Sequence, residues 1–359
     1  MRIVHVVWEL VPGGSEFMLV DIVNEQCKSH TVHILILNQR ESRTLIERLD
    51  SRISIHKINR KPKSKSIFKM LRANHYIMSL YPDIVHCHNF NQIAYLSLVK
   101  LMGIQMVLTV HSTGMPGKYL SKYDRLSAIS KAVAEDIYAR FGLHAVIIYN
   151  GIKTDSILTR PAGLEFRRIM QLGRLDHSSK GQDILLRAFA KLVNANKCDG
   201  ITLDFIGSGQ SEQYLKSMSK ELNITKHCRY LGQKNRQWIY NNLCNYDLLV
   251  QPSRYEGFGL TVVEAMAAEV PVLVSDVDGP MEIIDNGEYG YFFRSEDIED
   301  LANRVLSIMQ NYDTIEFRNM INRARARARD MFDVRKTVES YLHLYFQVAG
   351  LEEEFSNDN

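Results

Sequence analysis

Two short stretches of this chain carry side chains that could do chemistry. The first is Ser253-Arg254-Tyr255-Glu256-Gly257-Phe258-Gly259-Leu260-Thr261-Val262-Val263-Glu264, in which two carboxylates flank a glycine-rich turn. A carboxylate accepts hydrogen bonds from paired hydroxyls, so one of them suits the diol of a hexose and the other that of a ribose. Gly257 and Gly259 let the turn take uncommon φ/ψ and let a ligand come close. The turn runs into a helix at Leu260, whose unpaired N–H groups and dipole favour an anion such as a phosphate. The plainer alternative is a solvated loop acid at Glu256 and an exposed helix acid at Glu264. The second stretch is Gly173-Arg174-Leu175-Asp176-His177-Ser178-Ser179-Lys180-Gly181. Arg174 and Lys180 are predicted to converge at a helix N-terminus as a diphosphate clamp. Two solvated surface charges are the alternative.

The elements that must position these residues are strands and helices in alternation. Tyr246–Gln251, stopped by Pro252, and Val270–Ser275 read as buried strands on either side of a helix from Leu260 to Glu269, a parallel crossover. Arg168–Gly173 leads as a strand into the second stretch, followed by a helix over Gln182–Val193. Thr202–Ile206 is a strand leaving through Gly207-Ser208-Gly209, and Asn235 to Cys244 a helix. At the other end of the chain, strand Ile3–Trp8 is followed by Pro12-Gly13-Gly14-Ser15-Glu16 and a helix from Phe17 to about Gln26. That turn can also hold a phosphate, but the full Gly-x-Gly-x-x-Gly pattern of a dinucleotide site is missing. Thr31–Leu37 and Ile53–Ile58 are further strands.

Histidines mark two strand ends. Pro82-Asp83-Ile84-Val85-His86-Cys87-His88-Asn89 places His86 and His88 on one side, a conceivable metal pair for which no third ligand follows at useful spacing. Val107–Ser112 ends at His111, where the carboxyl end of a parallel strand meets ligands, although a lone histidine is more often a packed one.

With 359 residues the chain suits two domains, and a net charge of +3 implies no nucleic-acid partner. Five scattered cysteines without Cys-x-x-Cys spacing fit a reducing cytosol. No signal peptide is read at Met1–Trp8 and no run is apolar enough to span a membrane. Lys57, Arg60, Lys61, Lys63, Lys65, Lys69 and Arg72 form an acid-free run interleaved with Ile67, Phe68, Met70 and Leu71. This is either a solvated face or a patch attracted to an anionic membrane. The arginines 323, 325, 327 and 329 read as a solvated helix side, and the tail 352–359 as disordered.

The run Glu256 to Glu264 closely resembles the Glu-x7-Glu donor signature of retaining glycosyltransferases of family 4, and the likeness covers roughly residues 1 to 345. Gly13-Gly14, the Asp83-to-His88 strand, His111 and the Arg174-to-Gly181 loop match other motifs of that family. The resemblance implies an α/β fold of GT-B architecture: two Rossmann-like doubly wound domains facing a cleft, with a last helix crossing back. The corresponding boundaries are 1–153, a linker over 154–166, 167–333, a crossing helix over 334–350 and a tail over 351–359. It implies catalytic roles for His111, Glu256, Arg174 and Lys180, and donor binding by Gly13, Gly14, Gly207, Gly209, Gly257, Phe258, Gly259, Leu260 and Glu264. Lys153 and Gly279-Pro280 depart from the family pattern, which usually has Asp at the first position and Gly-Gly at the second. The implied activity moves a hexosyl or N-acetylhexosaminyl unit from a UDP- or GDP-sugar to a hydroxyl of a glycan or lipid-linked acceptor. The configuration is retained and neither a metal nor another cofactor is required. The implied setting is bacterial surface polysaccharide or lipopolysaccharide assembly in the cytoplasm, with peripheral contact to the inner face of the membrane. Asp276-x-Asp278 resembles the metal pair of a different glycosyltransferase class, but that class lacks Glu-x7-Glu. A nucleotide-sugar epimerase of the same architecture and a non-catalytic sugar-nucleotide-binding subunit are the rival readings.

Overall fold

The computed structural model describes residues 1–62, 64–161, 163, 165–312 and 314–351. They form two compact units, Met1–Gly151 together with the segment from Val334 onward, and Ile152–Asp333.

The strands of the first unit are β1 (Arg2–Val7), β2 (Thr31–Asn38), β3 (Ser54–Arg60), β4 (Ile84–Cys87), β5 (Gln105–Val110), β6 (Arg125–Ala128) and β7 (Ala145–Ile147). They pair in parallel in the order β3-β2-β1-β4-β5-β6-β7, with Arg2 opposite Thr31 on one side of β1 and Ile3 opposite Ile84 on the other. The order reverses direction between β1 and β4. The connections from their carboxyl ends part there and leave a crevice, the usual ligand position in an open parallel sheet. Near-continuous apolar runs such as Ile34–Leu37 are buried on both faces, as a helix-covered parallel sheet requires. One covering helix is Val334–Ala349, whose Val338, Tyr341, Leu344 and Tyr345 pack with Met18 and Ile22 of the helix Gly14–Gln26 and with Ile3, Ile84 and Val107.

The second unit repeats the plan with β8 (Arg168–Leu172), β9 (Thr202–Ile206), β10 (Cys228–Gly232), β11 (Leu248–Gln251), β12 (Val272–Ser275) and β13 (Tyr291–Phe293). They run parallel in the order β10-β9-β8-β11-β12-β13, with the reversal between β8 and β11. Ile184, Leu185, Ala188, Phe189 and Leu192 of the helix Gln182–Asn194 pack onto Leu203, Phe205 and Val250 of the sheet. Truncating a ring such as that of Phe189 to Ala in such a core costs about 3–5 kcal/mol.

Element types follow the sequence reading, and local chemistry moves some ends. The first helix begins at Gly14 rather than Phe17, because the Phe17 N–H already bonds to the Gly13 carbonyl at 3.0 Å. Asn235 caps the helix Arg236–Asn242 by accepting from the Trp238 N–H at 2.8 Å. The arginine run in the helix Ile315–Phe332 is not a uniformly solvated side. Arg327 donates to the Ile283 and Glu282 carbonyls and lies 4.7 Å over the Tyr289 ring, and Arg325 pairs with Glu269 at 2.5 Å. An alternation of two does not select one face of a helix with 3.6 residues per turn, so these arginines point to different surroundings. Lys63 of the basic run, positions 162 and 164 of the expected linker, and the tail 352–359 lie outside the described residues.

Candidate active site

In the second unit the two sequence stretches leave the sheet on either side of its reversal point, β8 into Gly173–Gly181 and β11 into Pro252–Gly259. Gly181 holds these loops together: its φ is +63°, and a Cβ there would lie 1.8 Å from the Pro252 carbonyl oxygen. Only glycine allows both the left-handed backbone and that approach. Arg254 adds a second tie. Its main-chain N–H donates to the Ser179 carbonyl at 2.9 Å, and its guanidinium bonds the His177 carbonyl, both oxygens of Asp183, and Glu296. These carboxylates raise the Arg254 pKa, Asp183 contributing most.

The loops bring Lys180 and Glu256 together at 2.5 Å, each side chain about one-fifth exposed. The same Glu256 oxygen accepts from Gln251 Nε2 at 2.8 Å, while Gln251 Oε1 accepts from Thr261 Oγ1 at 3.1 Å. The glutamate is thus held from β11 through Gln251, which Thr261 of the helix Leu260–Ala267 holds in turn. Gly259, at φ +116°, is the N-cap of that helix. A Cβ on Gly279 would meet the Glu256 carbonyl oxygen and the Phe258 nitrogen at 2.7 Å, so the glycine of the Gly279-Pro280 pair packs directly under this turn.

Glu264 is not an exposed helix acid. It is 8 % exposed, with Arg236 Nη2 at 4.0 Å from its Oε1. Arg236 is itself buried and held by the Tyr240 hydroxyl at 2.7 Å. The structure corrects one expectation, the convergence of Arg174 and Lys180, and adds packing detail to two others. The Phe258 ring is buried edge-on against Phe332, so only its backbone can meet a donor. Arg174 and Lys180 do not converge on a shared partner: the Arg174 side chain is 70 % exposed, 3.7 Å from Asp176, while Lys180 engages Glu256. Gly207 and Gly209 are explained by packing, since a Cβ on either would fall about 2 Å from a carbonyl oxygen of Gly173 or Leu175 respectively.

The first unit carries His111 at the end of β5 and His88 just past β4, both lining a cavity of about 220 Å³ with Glu9, Glu16, Asn89 and Thr109. Gly13 and Gly14 enter the adjoining helix, and Glu16 folds back so that its carboxylate fills the place a Gly13 Cβ would take. Burial lowers the His111 pKa to about 4, and its Nε2 is buried without a hydrogen-bond partner. Sequence spacing offered no third ligand beside His86 and His88, but the fold supplies His5 from the neighbouring strand β1. The ligating nitrogens of the three lie within 4.8 Å of one another. They are nevertheless engaged with protein groups. His5 Nε2 meets Gln26 Oε1 at 2.8 Å and His5 Nδ1 meets His88 Nε2 at 3.0 Å. His86 lies between the Tyr345 and Thr109 hydroxyls at 2.6 and 2.7 Å. Burial lowers all three pKa values, that of His5 to about 4. A metal would have to displace those bonds, and the arrangement fits a chain of neutral imidazoles better than a metal centre.

Arg254, Gln251, Arg236 and His5 escaped the sequence reading. Arg254, Arg236 and His5 act through residues distant in sequence, and no spacing rule links position 236 to 264 or position 5 to 88, while Gln251 sits in the strand and carries no motif of its own.

The sequence model described as Glycosyltransferase Family 4 matches residues 12–156, and that described as Glycosyl transferases group 1 matches residues 161–327. The chain belongs to glycosyltransferase family 4, and its two α/β units have the GT-B fold. A phosphatidyl-myo-inositol mannosyltransferase of Mycobacterium leprae is 29% identical over 286 residues, 74% of each chain. Among solved structures, a glycosyltransferase from Rickettsia africae superposes with TM-score 0.82 at 20% identity, covering 97% of this chain and 98% of the other. The Anabaena protein HepE in complex with UDP-glucose superposes with TM-score 0.80 at 20% identity, covering 97% of this chain and all of the other. The protein is a glycosyltransferase. No helix among the described residues is long and apolar enough to cross a membrane.

Proposed function

We propose that this glycosyltransferase moves a hexosyl or N-acetylhexosaminyl unit, with retention, from a UDP- or GDP-sugar to a hydroxyl of a glycan or lipid-linked acceptor. The setting is bacterial surface polysaccharide or lipopolysaccharide assembly. The observation that carries the reading is the Lys180–Glu256 pair at 2.5 Å, set beside buried Glu264 on one glycine-capped turn. Breaking the anomeric bond leaves an oxocarbenium-like sugar and a diphosphate gaining negative charge. Lys180, with Arg174 swung in from solvent, stabilises that charge where it develops. Glu256 reads sugar hydroxyls, Glu264 holds the ribose diol, and His111 contacts the transferred sugar. The leaving phosphate helps deprotonate the acceptor, so the step needs no resident metal. Support comes from the names of similar proteins, among them the M. leprae mannosyltransferase and the HepE complex with UDP-glucose. Thermal shift with UDP-, GDP- and ADP-sugars, followed by nucleoside diphosphate release with a glycoside acceptor panel, tests it. A protein that no sugar nucleotide stabilises and that releases no diphosphate sinks the proposal.

The site is proposed to work at a membrane surface. In the basic run, Lys57 pairs with Glu41, Arg60 is stacked over Trp8 and Tyr95, and Lys69 bonds the Ile58 carbonyl. Lys61, Lys65 and Arg72 are left beside Ile67, Phe68 and Leu71 around the helix Ile67–Ser79, with Phe68 80 % exposed. Three cations near an anionic leaflet are worth about 3 kcal/mol, and the exposed apolar side chains add insertion.

A further inference from the structure

We propose that the cavity of the first unit admits the acceptor as an uncharged polyol and turns away acceptors that present a carboxylate or phosphate there. The proposal rests on the transferase reading and names the acceptor chemistry of its acceptor side.

The charge of the wall is the first observation. Among the described residues lining the cavity are two carboxylates, Glu9 and Glu16, and no lysine or arginine. Glu9 accepts from Asn38 Nδ2 at 3.3 Å and has Arg40 at 3.4 Å, but that arginine is largely in solvent and does not line the cavity. Glu16 accepts only the Ser15 hydroxyl among the described residues, at 2.8 Å. Both keep lone pairs for a donor entering the cavity.

The histidine chain is the second observation, and it fixes what His88 offers. Gln26 Oε1 can only accept, so His5 donates from Nε2 and its Nδ1 is the acceptor. His88 must then donate from Nε2 to His5, which leaves the lone pair of His88 Nδ1 without a partner among the described residues, on a ring 9 % exposed at the cavity wall. Burial keeps His88 and His111 neutral at physiological pH, so neither supplies the cation an anionic acceptor needs. Carboxylates and an imidazole lone pair together accept hydrogen bonds from O–H groups, and the same groups repel an anion. Selection therefore comes from a repulsive element as much as from an attractive one.

The test compares acceptors on the intact protein. Methyl glycosides of common hexoses and N-acetylhexosamines are set against hexose 6-phosphates, inositol 1-phosphate and malate. Nucleoside diphosphate release with UDP-glucose, UDP-N-acetylglucosamine and GDP-mannose is measured, with saturation-transfer NMR as a binding readout independent of turnover. The wild type is expected to favour neutral glycosides at least about tenfold in kcat/KM or in affinity. Glu9→Gln with Glu16→Gln should narrow that ratio to about threefold or less, while Glu16→Lys should draw the anions in. Equal or better use of the anions, a ratio unmoved in the double variant, or no glycoside bound in either readout overturns the inference. Glycoside binding that the double variant weakens, without transfer from any donor, overturns the transferase reading and leaves the cavity chemistry standing.

Discussion

Replacing His5 by Gln should flatten the acid sensitivity of the first unit. In the native protein burial lowers the His5 pKa to about 4, against an ordinary value of 6.5. At pH 5 the unfolded imidazole is about 97% protonated and the native one about 9%, so unfolding takes up nearly one proton. A group that binds protons more readily when unfolded costs nothing above pH 6.5 and withdraws stability as pH falls from there towards 4. Between pH 7 and pH 5 the loss from this one ring is about 2 kcal/mol. The loss comes on top of what His86, His88 and His111 contribute, all lowered in the same direction. Glutamine can donate to Gln26 and accept from His88, so His5→Gln keeps both bonds and removes only the titration. The chain has two tryptophans, Trp8 in the first unit and Trp238 in the second. In a Trp238→Phe background, urea unfolding followed by fluorescence therefore reports the first unit, which avoids treating two units as one transition. The parent should lose about 2 kcal/mol more than the His5→Gln protein between pH 7 and pH 5. Parallel pH curves for the two would refute the argument.

Other outcomes follow from the same geometry. Lys180→Ala and Glu256→Ala should each lower transfer by at least about 100-fold, measured as diphosphate release, and wild-type turnover in both would remove them from the mechanism. Gly181→Ala places a Cβ 1.8 Å from the Pro252 carbonyl oxygen on a left-handed backbone. It should cost more than the roughly 1–2 kcal/mol of the backbone alone, and an unchanged melting temperature would contradict that packing. Arg254→Met leaves Asp183 with Arg187 at 3.3 Å as its one side-chain partner among the described residues, and a loss of about 2 kcal/mol with weaker donor binding is expected by denaturation and titration. Sedimentation with anionic vesicles should pull the protein down at low salt and not at high salt, with Phe68→Asp abolishing it; no binding at low salt ends the membrane proposal.

The fold was readable because its strands announce themselves. Leu248–Gln251 is stopped by Pro252, and Arg168–Leu172 opens into a glycine loop, so both walls of the second crevice could be placed from residue types alone. The placement of Glu256, Lys180 and Glu264 in the fold was legible for the same reason: each sits within a few residues of a strand end or helix start. What the sequence could not show was which charges meet. Lys180 and Arg174 lie in one loop and invite a joint role, yet Lys180 pairs with Glu256, seventy-six positions away. Phe258 sits in the donor motif, but an apolar ring next to glycines packs inward wherever a partner such as Phe332 is within reach. His5 looked like one residue of an ordinary strand. Its role exists only because β1 and β4 are neighbours, and neighbourhood across a sheet is set by topology rather than by local periodicity.

The helix Val334–Ala349 carries a consequence for how the molecule comes into being. Its Tyr345 hydroxyl meets His86, and its Tyr341 hydroxyl meets Thr109 at 2.9 Å, so two buried polar groups find partners 259 and 232 positions further along. A ribosome that has released residues 1–151 has made a sheet with one side lacking a covering helix and those groups unanswered. The leading half must wait for the helix over 334–349 to be made before it can close, and the trailing unit, continuous from Ile152 to Asp333, can be complete before it. Dissecting the protein for separate expression therefore means grafting the last helix onto the first half; a cut at the midpoint alone would orphan it.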